Sequence, residues 1–445
     1  MAPDPNIMKA VEQLDYRVTV GDVASQAGLD VKLAERGLLA LASEAGGHMQ
    51  VSEAGEIAYV FPQNFRNALQ SKYFRLRLQA TWNRIWKTLF YLIRISFGIL
   101  LILSIVLIVL AITIIFIAMM SSNREGNDDR RSSSSGGGGF IFFPRFFFGP
   151  DLFWYFSPNY YERRAYQRRQ PQRRGAGQEN QMNFLEAVFS FLFGDGDPNA
   201  NLEEYRWRAI ATVIRNNGGA VAAEQIAPYL DDLGSEYSRE YEDYMLPVLT
   251  RFNGRPEVSP EGQIIYHFPA LQVTAQEQGK RPVAAYLKEA LWKFSEAGSG
   301  QLTAAAGLGI FNLVAAIVLG VLLGDGAIAQ ELGGLVAFVN GIYWLLLGYG
   351  TAFLAVPTIR FFWLKQRNVK VAARNEKRLE RAEVLNAAGD EIREKIAFAH
   401  QFAAETVIDP ADLAYTTEQD LTEQEYLNSD RIDEEWRRRI EQSQP

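Results

Sequence analysis

Apolar residues fall in a few long runs separated by periodic, mixed segments. Ser96 to Met120 (SFGILLILSIVLIVLAITIIFIAMM) carries no charge and shows no polar face. About 20 such residues cross a bilayer as a helix, so a transmembrane helix is predicted over 96–120. Two further runs, Leu302 to Leu323 and Leu332 to Val356, flank GDGAIAQE (Gly324 to Glu331) and predict a membrane hairpin over 302–357. Its helix-packing candidates are Gly333, Gly334, Asn340, Gly341 and Gly348. Small residues let membrane helices approach, and an amide can hydrogen-bond across them. Glycine is also simply frequent in such helices, and sequence alone does not separate the two readings. A fourth segment, FIFFPRFFFGPDLFWYF (140–156), is aromatic but holds Pro144, Gly149 and Pro150. Those breakers disfavour an unbroken span and leave a re-entrant, surface or return segment over 140–157.

The periodic segments predict small folded modules. Asn6 to Asp15 reads as a helix and Gly21 to Ala27 as a short second one. Asp30 then N-caps a third helix through Ala45, with Val31, Ala34, Leu38 and Leu41 inward. Gly46–Gly47 ends it, and Met49 to Val51 pairs with Ile57 to Phe61 around Gly55. The same order recurs downstream: helices at Tyr205 to Asn216, Ala223 to Tyr229 and Ser238 to Phe252 (kinked at Pro247), then a hairpin over Glu257 to Phe268. VSEAGEIAYVFP at 51–62 and VSPEGQIIYHFP at 258–269 share seven of twelve residues at an offset of 207. Three helices and a two-stranded wing make a winged helix, here over 1–62 and 200–269. At that offset Ser96 maps onto the start of the second apolar run, and the aromatic segment onto the hairpin's return leg. The predicted fold class is an α-helical membrane protein with two small α+β winged-helix domains, a tandem duplication of winged helix plus membrane hairpin.

Charge sets the topology. Gln63 to Arg94 has seven cations and no acid; Ser157 to Arg174 has six arginines against Glu162; Arg360 to Arg378 has seven cations against Glu376. Positive flanks stay on the cytoplasmic side, which places both winged helices and the tail in the cytoplasm or stroma if 140–157 returns the chain. Three full spans with opposite termini is the alternative. Within the connector 63–95, Arg66, Lys72, Arg75, Arg77, Trp82, Arg84, Trp86 and Lys87 interleave cations with aromatics. That pattern suits an amphipathic helix on anionic membrane lipid, with continuation of the first span as the plainer reading. The other segments read as a flexible loop (121–139), a basic linker (158–183), an apolar segment and turn (184–199), a connector helix (270–301), and a charged helix breaking near Gly389 with a mobile tail from Ile408 (358–445).

Candidate chemistry is sparse. The 445 residues include no cysteine and three dispersed histidines, and net charge is −7. Thiolate metal sites, cysteine-held clusters and cysteine nucleophiles are thereby excluded. The segment 1–62 has four cations against nine acids, and 200–269 six against eleven. A DNA reader needs a basic footprint, so nucleic acid is disfavoured and protein docking preferred. GDGDPN (194–199) has the aspartate spacing that opens a calcium loop, but Ala200 and Arg206 stand where that loop needs Gly and Glu. It reads instead as a turn capping the following helix. The spans 96–120 and 332–356 hold no Asp, Glu, Lys, Arg or His, which argues against transport. No catalytic residue, cofactor or metal is assigned.

NFLEAVFSFLFGDGDPN (183–199), the winged helix after it and the glycine-rich hairpin resemble a family of membrane proteins from cyanobacteria and chloroplasts. Plant members bear a description tying them to iron–sulfur cluster biosynthesis. The resemblance implies a thylakoid, cyanobacterial plasma-membrane or plastid-membrane setting. The functional expectation is a non-catalytic scaffold or assembly factor whose partners are lipids and proteins, photosynthetic complex subunits among the candidates. Homo-oligomerisation is left open. A membrane-tethered transcription regulator is the alternative and a channel or carrier the third reading.

Overall fold

The computed structural model of the protein describes residues 4–72, 74–122, 182–234, 241–277, 279–324, 326–387, 389–410 and 413–420, with positions 422, 424, 426, 436, 437 and 440. In chain order the elements are α1 (Pro5–Gln13), β1 (Arg17–Thr19), α2 (Val20–Ala27), α3 (Val31–Ala45), β2 (His48–Ser52), β3 (Ile57–Val60), α4 (Phe65–Lys72) and α5 (Phe74–Ser122). Then come α6 (Phe184–Phe193), α7 (Leu202–Asn216), β4 (Ala220–Val221), α8 (Ala223–Ile226), α9 (Leu246–Phe252), β5 (Arg255–Val258), β6 (Ile264–His267) and β7 (Val273–Thr274). Last are α10 (Ser299–Leu323), α11 (Ala327–Leu332), α12 (Gly334–Gly341), α13 (Tyr343–Asn386), α14 (Asp390–His400), β8 (Thr406–Val407) and β9 (Leu413–Thr416). Two compact units result: Met1–Trp82 with Pro198–Leu291 and Val369–Pro445, and Asn83–Asp197 with Trp292–Asn368. The segment 140–157 and the loops around it lie outside the described residues.

In the first unit, capping side chains fix the helix starts. Asp30 accepts the Lys32 and Leu33 amides at 2.9 and 3.1 Å, a cap of the kind worth about 1 kcal/mol. Gly46, at φ 69°, ends α3 in the left-handed conformation. Val31, Ala34, Leu38 and Leu41 are buried as the period requires. The strands that follow pair antiparallel in the order β1-β3-β2, and downstream β4-β6-β5 repeats that order. The two hairpin turns share their hydrogen bonds. Ser52 Oγ accepts the Glu56 amide and Ser259 Oγ the Gln263 amide, each at 3.1 Å. Gly55 and Gly262 supply the positive φ, 85° and 86°.

Several expectations are corrected. In the stretch predicted as a helix from Ser238 kinked at Pro247, the described α-helix is Leu246–Phe252; Pro247 lies in its first turn, where a missing N–H costs nothing, and no kink is needed. Residues 235–240 lie outside the described set. The stretch predicted as a connector helix over 270–301 is irregular from Ala275 to Gly298. Asparagine amides clamp its backbone by donating to a carbonyl and accepting from the N–H of the same residue. In the first unit Asn216 holds Arg281, Asn375 holds Glu289 and Asn199 holds Ala290, at 2.8–3.0 Å. In the second, Asn368 holds Trp292 at 2.8 and 2.9 Å. These amides satisfy backbone groups that a helix would have satisfied internally. The part of the tail from Ile408 to Thr416 that is described is anchored rather than mobile: Ile408 is buried, and β9 pairs antiparallel with β2, making that sheet four-stranded.

The second unit is built on helices. Among the described residues of the chain, three helices are long and apolar enough to cross a membrane: Ile85–Ser121, Ser299–Leu323 and Tyr343–Asn386, the last continuing into the first unit. No helix boundary falls at Ser96; the connector from Phe74 onward and the first apolar run both belong to α5. The third run is likewise not one helix from Leu332. Gly333 and Gly334 take φ of 58° and 51°, and α12 ends at Gly341, so the long helix α13 begins only at Tyr343. The link before it holds α11.

Candidate functional site

Aromatic and basic residues of the connector lie along α4 and α5. Lys72 closes α4, and Arg75, Arg77, Trp82, Arg84, Trp86 and Lys87 lie on α5. Trp82 is 61% exposed and Trp86 52%. Arg66 is spoken for: its Nε lies 2.9 Å from Glu12.

Within the chain itself the five helix-packing candidates make no tight helix contact. A Cβ added at Gly333, Gly334, Gly341 or Gly348 would meet nothing within 4 Å, and Asn340 is exposed. The first two serve as helix breakers through their backbone angles. Close approach occurs at other glycines. A Cβ at Gly309 would come within 2.5 Å of the Phe353 ring, at Gly98 within 2.8 Å of Leu185, and at Gly320 against the Tyr343 hydroxyl. Sequence reading also missed Asn312. It is fully buried in α10, accepts from the Ser104 hydroxyl of α5 at 2.9 Å, and faces Gly350 of α13. Its signal was available: a lone amide in an apolar run.

The GDGDPN turn does not use Asp195 to cap α7. Asp195 instead accepts Arg94 at 2.5 Å, the Glu296 amide at 2.8 Å and the Ser190 hydroxyl. Ser190 also lies 2.5 Å from Ser295, and Arg360 donates to the carbonyls of Ser190 and Phe294. These polar groups hold α6, whose Phe184, Val188 and Leu192 pack on Leu101, Ile105, Ala305 and Phe353.

Two ion clusters organise the first unit. Glu289, 5% exposed, takes both Nε and Nη2 of Arg374 at 2.7 and 2.6 Å and Arg378 at 2.9 Å. Arg378, 1% exposed, also pairs with Asp231 and donates to the Leu287 carbonyl. Hydrogen bonds from Arg374, against burial, hold the Glu289 carboxyl below its usual range; for Asp231 the arginines outweigh the burial that opposes them. In α14, Lys395 lies 2.9 Å from Glu224 and also pairs with Glu242. Burial works against its charge, but the two carboxylates outweigh it and raise its pKa.

The exposed face of α3 is mixed in character. On α3, Lys32, Glu35 and Arg36 are exposed beside Leu33 and Leu39, 49% and 54% exposed. His267 is half-buried in β6, with Nε2 3.0 Å from Gln272. Among the described residues no three His, Asp or Glu side chains are grouped to hold a metal.

No family model matches the chain, and no solved structure does. The chain is 39% identical to an Arabidopsis thaliana protein described as "Uncharacterized protein At5g03900, chloroplastic", over 98% of its own length and 82% of the relative's. At that identity and coverage, the chain belongs to the family of this chloroplast protein.

Proposed function

We propose that this protein is a non-catalytic integral membrane scaffold or assembly factor, docking protein partners at a plastid or related photosynthetic membrane. The reading rests on one observation: two hairpin-bearing modules with the same strand order and the same turn are coupled in one chain to three helices of membrane-crossing character. We take the modules as winged helices arising by duplication, with their acidic surfaces toward the cytoplasm or stroma beside the basic flanks. Exposed Leu33 and Leu39 on α3, with Glu35 beside Lys32 and Arg36, support protein rather than DNA as the partner, because a phosphate-binding face would be predominantly cationic. The relative's chloroplast setting and the candidate spans favour a plastid membrane, the thylakoid among them. A cluster-carrying role in iron–sulfur metabolism has no thiolate to rest on. Exposed Trp82, Trp86 and Lys87 on α5 would sit at lipid headgroups.

Tagged purification from native membranes in mild detergent, followed by mass spectrometry, tests the proposal. Stoichiometric recovery of photosynthetic-complex, translocon or protease subunits is expected. Recovery of the protein alone, or only with copies of itself, refutes the scaffold reading.

A further inference from the structure

The first unit contains a cleft of about 420 Å³ whose lining concentrates positive charge in an otherwise acidic region. Arg215 and Asn216 lie three and four residues beyond Thr212, which itself lies four beyond Arg208, so the four share a broad face of α7. That face forms one wall. The chain after β7 brings Lys280 and Arg281 to the same space. Glu405 is the acid among the described lining residues, against four cations.

The cations are placed by specific bonds. Asn216 fixes the Arg281 backbone by donating to its carbonyl at 2.8 Å and accepting its N–H at 3.0 Å. The Arg281 guanidinium donates to Gln26 at 2.7 Å. Arg215 is held at 2.8 Å by Asp22 and at 2.9 Å by Ser25. Arg208 pairs with Glu204. Partial burial and the neighbouring Arg215 charge push the Arg281 pKa down and outweigh Asp22, which pushes it up, so the cleft sets like charges close together. Guanidinium forks, an ammonium and short polar donors suit phosphate oxygens, and the volume lies in the range of small-molecule sites.

We propose that this cleft binds a soluble phosphorylated small molecule of nucleotide or sugar-phosphate size. This site is independent of the scaffold reading, since ligand binding and partner docking are measured separately. The test uses the purified full chain in neutral detergent, titrated calorimetrically with pyrophosphate at constant chloride. Saturable one-to-one binding is expected. Lys280 and Arg281 are exposed, so K280Q/R281Q should keep the wild-type melting temperature while weakening pyrophosphate at least about tenfold. Glu405→Gln should tighten it by removing a repelling charge. Absence of saturable binding, or unchanged affinity in K280Q/R281Q, overturns the proposal. Tighter binding of soluble dihexanoyl phosphatidylglycerol than of pyrophosphate overturns it too, because a lipid headgroup would then be the ligand.

Discussion

Glu289→Gln is the most informative single substitution. It keeps the side chain's size and removes its charge. Glu289 is 5% exposed and Arg378 1%, so the guanidinium it leaves behind cannot turn to water. Arg378 retains Asp231, which is 45% exposed and a weaker counter-charge. Breaking a buried pair by removing one partner costs about 3–5 kcal/mol. The surviving Asp231 contact and the hydrogen bond to Leu287 argue for the lower end, about 3 kcal/mol. In a unit of this size each kcal/mol shifts the midpoint by roughly 2–4 °C, giving a fall of about 6–12 °C. Thermal unfolding of the detergent-purified protein, read by intrinsic fluorescence, measures it. Arg374→Gln is the control. Its side chain is 44% exposed, so it should cost under about 1 kcal/mol. A loss in E289Q no larger than in R374Q would refute the argument that the buried charge, rather than hydrogen-bond count, carries the cluster.

Other outcomes follow from the same structure. Asp22, 1% exposed, accepts the Thr19 and Ala275 amides and the Thr274 hydroxyl and pairs with Arg215; Asp22→Ala should cost about 3 kcal/mol or more, read by the same melt. Gly309→Leu should reduce folded yield after extraction from membranes, while Gly348→Leu should not, because only the first has an aromatic ring in the way of a side chain. For the lowered carboxyls Glu289 and Asp231, stability is present above their unfolded pKa and lost as pH falls through the folded one. The melting temperature should therefore fall between about pH 4.5 and lower values, and less steeply in E289Q. Lys395 has the opposite sign: its raised pKa stabilises at neutral pH and is lost only above about pH 10, so Lys395→Met should flatten an alkaline melt.

Local signals were legible where a single residue dictates backbone geometry. The Asp30 cap, Gly46 and the turns at Gly55 and Gly262 were readable because each satisfies a specific N–H or a positive φ. Long-range partners were not. Residues 275–298 carry enough apolar and helix-forming side chains to suggest a helix, yet asparagines far away in sequence hold the chain open. Glycines in the apolar runs looked alike in sequence; only the partner across the gap distinguishes Gly309 from Gly348. The cationic cleft was hidden by counting charge over 200–269, which averages Arg208 and Arg215 with distant acids and leaves out Lys280 and Arg281.

The pairing of β9 with β2 has a consequence for synthesis. Ser52 leaves the ribosome about 360 residues before its partner Leu413, a delay of roughly 20–70 s at ordinary translation rates. Throughout that interval the edge of β2 is without its own strand while the apolar helices are being made. Such an edge is a template for the wrong strand. The nascent chain therefore passes through a vulnerable stage that ends only when Leu413–Thr416 emerges and pairs with β2.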